Sequence, residues 1–171
     1  LENYKGTVAE PKSAQVDAPS RGKVEILPYR GVRKKMGDHL MISRRTAAHF
    51  TYVEEVDATE MVRLRKRFLE SDKGQGIRLT YLPFIMKAIV TGLKEYPLLN
   101  SSLDEEQEVI RIKHYYNIGI ASDTPQGLIV PVVKQVDKKD ILQLAQEIAQ
   151  LSKAASAGKT KLEDLRDGTF T

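Results

Sequence analysis

Residues 116–131 read YNIGIASDTPQGLIVP, and this stretch decides the fold. β-Branched and other apolar residues dominate both of its ends, so residues 116–121 and 128–133 are predicted to be β-strands. Residues 124–127, TPQG, connect them and are predicted to form a type I turn, because proline is second and glycine last. The stretch therefore predicts two strands of one sheet.

Two apolar helices are predicted on either side of this stretch. The first, residues 80–96, is apolar on nearly every side, which is typical of a buried helix, and it ends at Pro97. The second, residues 139–155, carries apolar residues one helical turn apart and stops at Gly158. A further strand is predicted at residues 109–112. Strands and helices intermingle, so we predict an α/β layered domain.

The chain begins with a segment that is predicted to be unstructured. Residues 1–23 contain two prolines and no apolar periodicity, which is typical of a flexible interdomain linker. Residues 31–49 combine basic residues with apolar ones at roughly helical spacing and are predicted to form a surface helix or arm. Its charges suit either a solvated face or an anionic partner.

A strand and a helix are predicted between this arm and residue 71. Residues 50–56 alternate in the manner of a strand and are rich in β-formers. Asp57 and Glu60 have the spacing of a capping box, which predicts a helix that ends near Glu70.

The composition limits what the chain can do. Its 171 residues, 41% of them hydrophobic, are enough for one compact domain with a core. Cysteine is absent, which excludes disulfides, thiolate zinc sites and a cysteine nucleophile. The formal net charge of +4 supports only weak, sequence-independent binding to nucleic acid. No apolar run approaches the ~18 residues that cross a bilayer, so we expect an intracellular protein.

Four polar residues stand at positions where a ligand contact competes with an ordinary structural use. Arg65 falls within the apolar arc of its predicted helix, so its guanidinium needs a carboxylate of the same domain, a route to water or a ligand acceptor. Ser152 continues the apolar stripe of the last helix, where it can bond to its own helix. Thr80 suits an N-cap, and Asp123 suits an Asx turn.

The histidines form no recognisable catalytic pattern. His39, His49 and His114 lie on different predicted elements, and none has a serine, aspartate or metal-ligand partner at a familiar spacing. We predict that each is a surface or packing residue.

Four runs of sequence carry a resemblance to a known family. They are IRLTYLPF at residues 77–84, YPLLNSSLD at 96–104, the stretch 116–131 and DGTFT at 167–171. Together they resemble the dihydrolipoamide acyltransferase component of 2-oxoacid dehydrogenase complexes. The resemblance identifies residues 24–171 as the N-terminal part of the catalytic core.

The resemblance implies a fold and an assembly. The fold would be that of chloramphenicol acetyltransferase, a mixed sheet packed with helices, here incomplete at its C-terminal end. The core would form homotrimers that build a cube or a dodecahedron and recruit the 2-oxoacid decarboxylase and dihydrolipoamide dehydrogenase components. The basic stretch from Arg30 to Arg45 would wrap around a neighbouring subunit and meet acidic groups there. The protein would lie in the cytoplasm of a bacterium or archaeon, or in the mitochondrial matrix.

The resemblance also implies the chemistry. An acyl group, whether acetyl, succinyl or branched-chain, passes between a lipoyl group on another domain and coenzyme A, without a metal. The coenzyme A contacts of the family match Arg65, Thr80, Asp123 and Ser152. The histidine that acts as general base and the serine that stabilises the oxyanion are expected after Thr171, so this chain is expected to contain no catalytic residue and to be inactive alone.

Two rival interpretations of the same residues remain open. One is a catalytically silent scaffold that keeps the fold and organises the complex without chemistry. The other is a free-standing antibiotic acetyltransferase of the same fold, which would have no linker at residues 1–23.

Overall fold

A computed structural model describes residues 24–71, 76–124 and 127–171 of the protein, without the side chain of Val32. The predicted linker at residues 1–23 and the central turn residues 125 and 126 lie outside the described residues.

The described chain has three α-helices, then six short strands, and then a fourth α-helix. The α-helices are α1 (Val32–Thr46), α2 (Thr59–Leu69), α3 (Leu82–Glu95) and α4 (Ile141–Ser156). The strands are β1 (Ser101–Asp104), β2 (Val109–Ile112), β3 (Ile118–Gly119), β4 (Ser122–Thr124), β5 (Gly127–Ile129) and β6 (Val132–Val133). Short 3-10 helices cover Pro97–Asn100, Val136–Lys138 and Leu162–Leu165. Among the described residues, no helix is long and apolar enough to cross a membrane.

The strands form three antiparallel pairs, namely β1 with β2, β3 with β6, and β4 with β5. The strand predicted at residues 109–112 is confirmed as β2. Of the two strands predicted on either side of the turn, the first is shorter than expected and the second is divided. Residues 116–121 contribute only β3, and residues 128–133 contribute most of β5 and, after Pro131, all of β6. Proline cannot donate a ladder hydrogen bond, so it interrupts a strand.

The core lies where α3 and α4 pack on the β3–β6 pair. Met86, Val90 and Leu93 of α3 meet Ile118 and the strand β6, and the apolar stripe of α4 closes the cluster. The prediction that the apolar helix packs against a sheet formed by these strands is confirmed. Burying each of these side chains stabilises the fold by about 1.5–3 kcal/mol.

The helix starts differ from the predictions in two places. Tyr81 is the N-cap of α3 and no side chain caps it, so the expected N-cap role of Thr80 is wrong. The prediction of a capping box at the start of α2 is also wrong. The Asp57 carboxylate accepts from the backbone N and the Oγ1 of Thr59, at 2.8 and 2.6 Å, and Glu60 pairs with Arg63 instead.

Helix α4 is capped at both ends. Asp140 and Gln143 form a capping box, in which each side chain accepts a hydrogen bond from the backbone N of the other residue. The predicted stop is confirmed at Gly158, which has a φ of 65° and donates its N–H to Ala155 O. Glycine takes this left-handed conformation without strain.

The segment 50–56 is not a strand. It has no regular secondary structure, and Phe50, Tyr52 and Val53 are exposed. Alternation only determines which side chains share a face, whereas a strand also needs a second strand to pair with its backbone. None of the described residues supplies that second strand, so this prediction is wrong for the part of the chain that the structure covers.

The predicted basic arm is confirmed as a helix, α1, whose last turn carries Arg44 and Arg45. Almost all of its described side chains are exposed.

Candidate functional site

A cleft of about 820 Å³ opens between the residues that precede α3 and one face of α4. Leu79, which is buried, and Pro83 fix the first wall, and the buried Leu144 fixes the second. Small side chains on α4 leave space between the two walls. The lining residues are Arg78, Thr80, Leu82, Ala145, Ile148, Ala149, Ser152, Lys153, Ser156 and Ala157.

Two of the four predicted site residues share this cleft. Thr80 and Ser152 are each half-buried and lie on opposite walls, although they are far apart in the sequence. Their hydroxyl groups can both donate and accept hydrogen bonds. The cleft therefore offers polar contacts above a floor formed by the buried Ile148.

Arg65 lies beside the cleft and braces its first wall. Its Nε donates to the carbonyl oxygen of Leu79 at 2.7 Å, and its guanidinium carbon lies 5.0 Å from the ring centroid of Tyr81. These two contacts hold the residues on both sides of Thr80. Arg65 is half-buried, and within the described residues the hydrogen-bond partner of its guanidinium is a backbone carbonyl rather than a carboxylate.

The helix wheel placed Arg65 among core residues, and this part of the interpretation is wrong. No residue of α2, all of which the structure describes, is buried, and Val62 and Leu64 are 44% and 47% exposed. The apolar arc of α2 is therefore a half-covered surface. The arginine stands out for its contacts rather than for its burial.

Asp123 lies apart from the other three residues. It is exposed in the centre of β4, opposite Leu128, and is outside the described lining of the cleft. Strand β4 packs along α4, which carries Ser152. The structure thus brings Thr80 and Ser152 together, sets Arg65 next to them and leaves Asp123 at one side.

Two cations of the cleft were missed by the sequence analysis. Arg78 and Lys153 are exposed residues in the lining, one on each wall. Their positions next to Thr80 and Ser152 were the only signal available, and surface lysines and arginines are too common for that signal to count. Their charges favour a ligand with anionic groups.

The histidines are exposed and lie outside the described lining of the cleft. His49 nevertheless has a serine neighbour that its spacing did not indicate. Its Nδ1 lies 2.8 Å from Ala47 O, and its Nε2 lies 3.5 Å from Ser43 Oγ. The second distance is longer than a normal hydrogen bond. The prediction that His49 is a surface residue agrees with its exposure.

Known proteins resemble the chain over most of its length. The family profile described as 2-oxoacid dehydrogenases acyltransferase (catalytic domain) matches residues 21–171. The acetyltransferase component of the pyruvate dehydrogenase complex of Bacillus subtilis is 42% identical over 141 residues, which are 82% of this chain and 32% of that protein. The corresponding component of Staphylococcus aureus is 39% identical over 170 residues, 99% of this chain and 39% of that protein. The chain thus spans between 32% and 39% of these relatives.

Solved structures have the same fold. The cubic core of a pyruvate dehydrogenase multienzyme complex superposes with a TM-score of 0.82 at 35% identity, over 92% of this chain and 65% of that one. Azotobacter vinelandii dihydrolipoamide acetyltransferase superposes with a TM-score of 0.81 at 35% identity, over 86% of this chain and 60% of that one. These cores have the chloramphenicol acetyltransferase-like fold, so the predicted fold class is confirmed. The chain belongs to the family of 2-oxoacid dehydrogenase acyltransferase catalytic domains.

Proposed function

We propose that the protein containing this chain transfers an acyl group between dihydrolipoamide and coenzyme A, and that residues 76–157 form part of its coenzyme A site. The observation that carries the proposal is the cleft that Thr80 and Ser152 line together with Arg78 and Lys153. Two residues that match the family's coenzyme A contacts are thus neighbours in space.

The chemistry of the cleft suits this ligand. Its volume of about 820 Å³ lies within the range typical of small-molecule sites. The two cations are complementary to the phosphate groups of coenzyme A, and the hydroxyl groups can bond to its polar chain. The apolar floor suits the methylene groups of the same chain.

Arg65 and Asp123 are proposed as further contacts. A guanidinium has five N–H donors in a fixed fork, so the bond from Arg65 Nε to Leu79 O leaves other donors for a ligand acceptor. For Asp123 the support is its match to the family pattern together with the packing of β4 along α4. A carboxylate at that place would accept hydrogen bonds from the ligand.

The transfer itself needs a base and an oxyanion donor. A histidine that takes the thiol proton of coenzyme A frees the thiolate to attack the thioester carbonyl, and a serine hydroxyl stabilises the tetrahedral oxyanion before the lipoyl thiolate leaves. His39, His49 and His114 are exposed and away from the cleft. We therefore assign none of them this role and propose that the 171-residue chain is inactive alone.

The scaffold function is proposed as part of the same protein. A homotrimer that builds a larger cage, with the decarboxylase and dihydrolipoamide dehydrogenase components bound to it, would use α1 as an arm on a neighbouring subunit. Supporting this are the exposed basic residues of α1 and the exposed apolar residues Leu103 and Ile110 on the β1–β2 pair. We place the complex inside the cell, in a cytoplasm or a mitochondrial matrix.

The coenzyme A site can be tested by binding. Replacing Thr80 and Ser152 together by alanine in the complete product of the gene should raise the dissociation constant of coenzyme A about 5- to 150-fold, because each hydroxyl contributes about 0.5–1.5 kcal/mol. The matched control is Thr91→Ala, whose hydroxyl bonds to Lys87 O on α3. Equal affinities in all three proteins would refute the site.

The reaction can be tested in the same preparation. Its relatives are named as acetyltransferases of pyruvate dehydrogenase complexes, so acetyl-coenzyme A with dihydrolipoamide is the first substrate pair, followed by succinyl and branched-chain acyl groups. Coenzyme A binding and cage formation without any transfer would favour the silent scaffold.

A further inference from the structure

The side chain of Asn117 joins three separate parts of the chain. Asn117 is 7% exposed and lies directly before β3. Its Nδ2 donates to Asp167 O at 2.8 Å, and its Oδ1 accepts from the backbone N of Gln135 at 2.9 Å. Both ends of the carboxamide are therefore used, one on residues 167–171 and the other on the loop after β6.

The backbone of Asn117 holds the same residues 167–171, which we call the edge segment. Asn117 O accepts from Thr169 N at 2.8 Å, and Thr169 Oγ1 lies 3.2 Å from both Asn117 N and Asn117 O. Gly119 N then donates to Phe170 O at 2.8 Å, and Phe170 forms a parallel bridge with Ile118. The edge segment thus lies alongside β3 on the side that β6 does not occupy.

The edge segment is held closely and in an uncommon conformation. A Cβ at Gly119 would lie 2.8 Å from Val130 Cγ1 and 2.9 Å from Thr171 Oγ1, so a larger residue there would force these side chains to shift. Asp167 has a φ of 62°, which is uncommon for a residue other than glycine. Such conformations persist where the surrounding structure imposes them, and they concentrate at functional sites. The bond from Asn117 Nδ2 is made to the carbonyl of this same residue.

We infer that Asn117 is a positioning residue for the acyl transfer, because its carboxamide and its backbone together set the place of the edge segment beside β3. The inference rests on the proposed function and on the family resemblance, which implies that the serine that stabilises the oxyanion follows Thr171. A displacement of the segment would move that serine, and a misplacement of about 1 Å can lower a rate on the order of 10²-fold. Coenzyme A binding at the cleft would be unaffected.

The amide can be tested with a nearly isosteric change. Asn117→Asp keeps an oxygen for Gln135 N, but it replaces the donor to Asp167 O by a second oxygen, so the two oxygens repel each other. A matched control is Asn100→Asp. Asn100 is fully buried and donates from Nδ2 to Lys113 O and Tyr115 O, at 2.6 and 3.0 Å, and neither bond involves the edge segment.

The experiment uses the complete product of the gene, below the melting temperature of each variant. Asn117→Asp should lower kcat about 100-fold with little change in the KM for coenzyme A, and it should speed hydrogen exchange at the amides of Thr169 and Phe170. Asn100→Asp should leave kcat and these two amides unchanged. If Asn117→Asp does not fold, Thr169→Val removes the hydroxyl bonds to Asn117 and should lower kcat in the same direction.

The possible results separate the two claims. A wild-type protein that lacks transfer activity would refute the proposed function and, with it, the role of Asn117. An active wild type with normal kcat in Asn117→Asp, or in Thr169→Val where that variant is used, would refute the positioning role alone. Equal losses of kcat in Asn117→Asp and Asn100→Asp would also refute it, since they would reflect general loosening of the core.

Discussion

Arg65 Nε donates to the carbonyl oxygen of Leu79 at 2.7 Å, so the helix α2 holds the wall of the cleft on which Thr80 lies. This bond gives Arg65 two separable tasks. It positions the wall through Nε, and it can offer its remaining N–H groups to a ligand.

Replacing Arg65 by alanine should weaken coenzyme A binding by about 1–3 kcal/mol, as expected for the loss of a charge-assisted hydrogen bond. The melting temperature should change little, because α2 has no buried residue. Titration calorimetry on the complete protein measures the first quantity, and thermal unfolding measures the second. Arg63→Ala is the control, since Arg63 lies on the same helix and pairs only with the exposed Glu60 among the described residues. An unchanged affinity with a large fall in melting temperature would show that Arg65 is purely structural.

Arg78 and Lys153 should strengthen coenzyme A binding by meeting its phosphate groups. We expect the double variant Arg78→Ala and Lys153→Ala to lose severalfold in affinity for coenzyme A, and to show a weaker dependence of that affinity on salt, because exposed charges are screened by ions. Lys138→Ala removes a positive charge outside the cleft and is the control. Identical salt slopes in the three proteins would mean that the two cations do not meet the phosphates.

The ion pair between Asp104 and Arg111 of β2 should be lost at acid pH. The Arg111 guanidinium, which donates to Asp104 Oδ2 at 2.8 Å, and then the Gln107 backbone N–H, hold the pKa of Asp104 below 3.8. Since the folded pKa is lower than the unfolded one, the stabilisation is present above pH 3.8 and is lost as the pH falls through the folded value.

Carbon-detected NMR titration of the Asp104 carboxyl group measures this pKa directly. In Arg111→Gln the midpoint should move up towards 3.8, while the midpoint of Asp57, which is lowered by its bonds to Thr59, should stay in place. Coincident midpoints for Asp104 in both proteins would rule out the pairing in solution.

The cap of α4 should contribute measurably to stability. Asp140→Ala removes the acceptor of the Gln143 N–H and should lower the free energy of unfolding by about 0.5–2 kcal/mol. Denaturant unfolding measures the change. Gln146→Ala, at an exposed position of the same helix, should be nearly neutral. A neutral Asp140→Ala would show that tertiary packing alone fixes the start of α4.

The helices that form the core could be predicted because their signal is local. Periodic apolar residues gave α3 and α4 close to their observed bounds, with Gly158 as the stop of α4. The strands were harder, since pairing depends on residues that are distant in the sequence. Residues 50–56 have the composition of a strand but meet no partner among the described residues, and composition cannot reveal this.

The cleft could be predicted only in part, for the same reason. Thr80 and Ser152 were named through the family resemblance, while their meeting across the cleft depends on how α4 packs. The helix wheel singled out Arg65 because it predicted that this residue lies among core residues. In the structure Arg65 is distinguished instead by its hydrogen bond to Leu79 O. Arg78 and Lys153 belong to residue types that are common on every surface, so their place in the cleft was visible only in three dimensions.

The last prediction separates binding from chemistry. Loss of the histidine that takes the thiol proton should lower the rate on the order of 10²–10⁴-fold, and so should loss of the serine that stabilises the oxyanion. The purified 171-residue chain should therefore transfer no acetyl group from acetyl-coenzyme A to dihydrolipoamide, whereas the complete product of the gene should do so. Chromatographic detection of S-acetyldihydrolipoamide in both reactions measures the difference. The control replaces His39, His49 and His114 together by alanine in the complete product, where activity should persist because all three are exposed and away from the cleft. If the short chain is active, the same replacements made in the short chain decide the reason. Activity of the short chain that is lost with one histidine would identify a base that its position led us to reject. Activity of the short chain that survives replacement of all three would mean that the proposed mechanism is wrong.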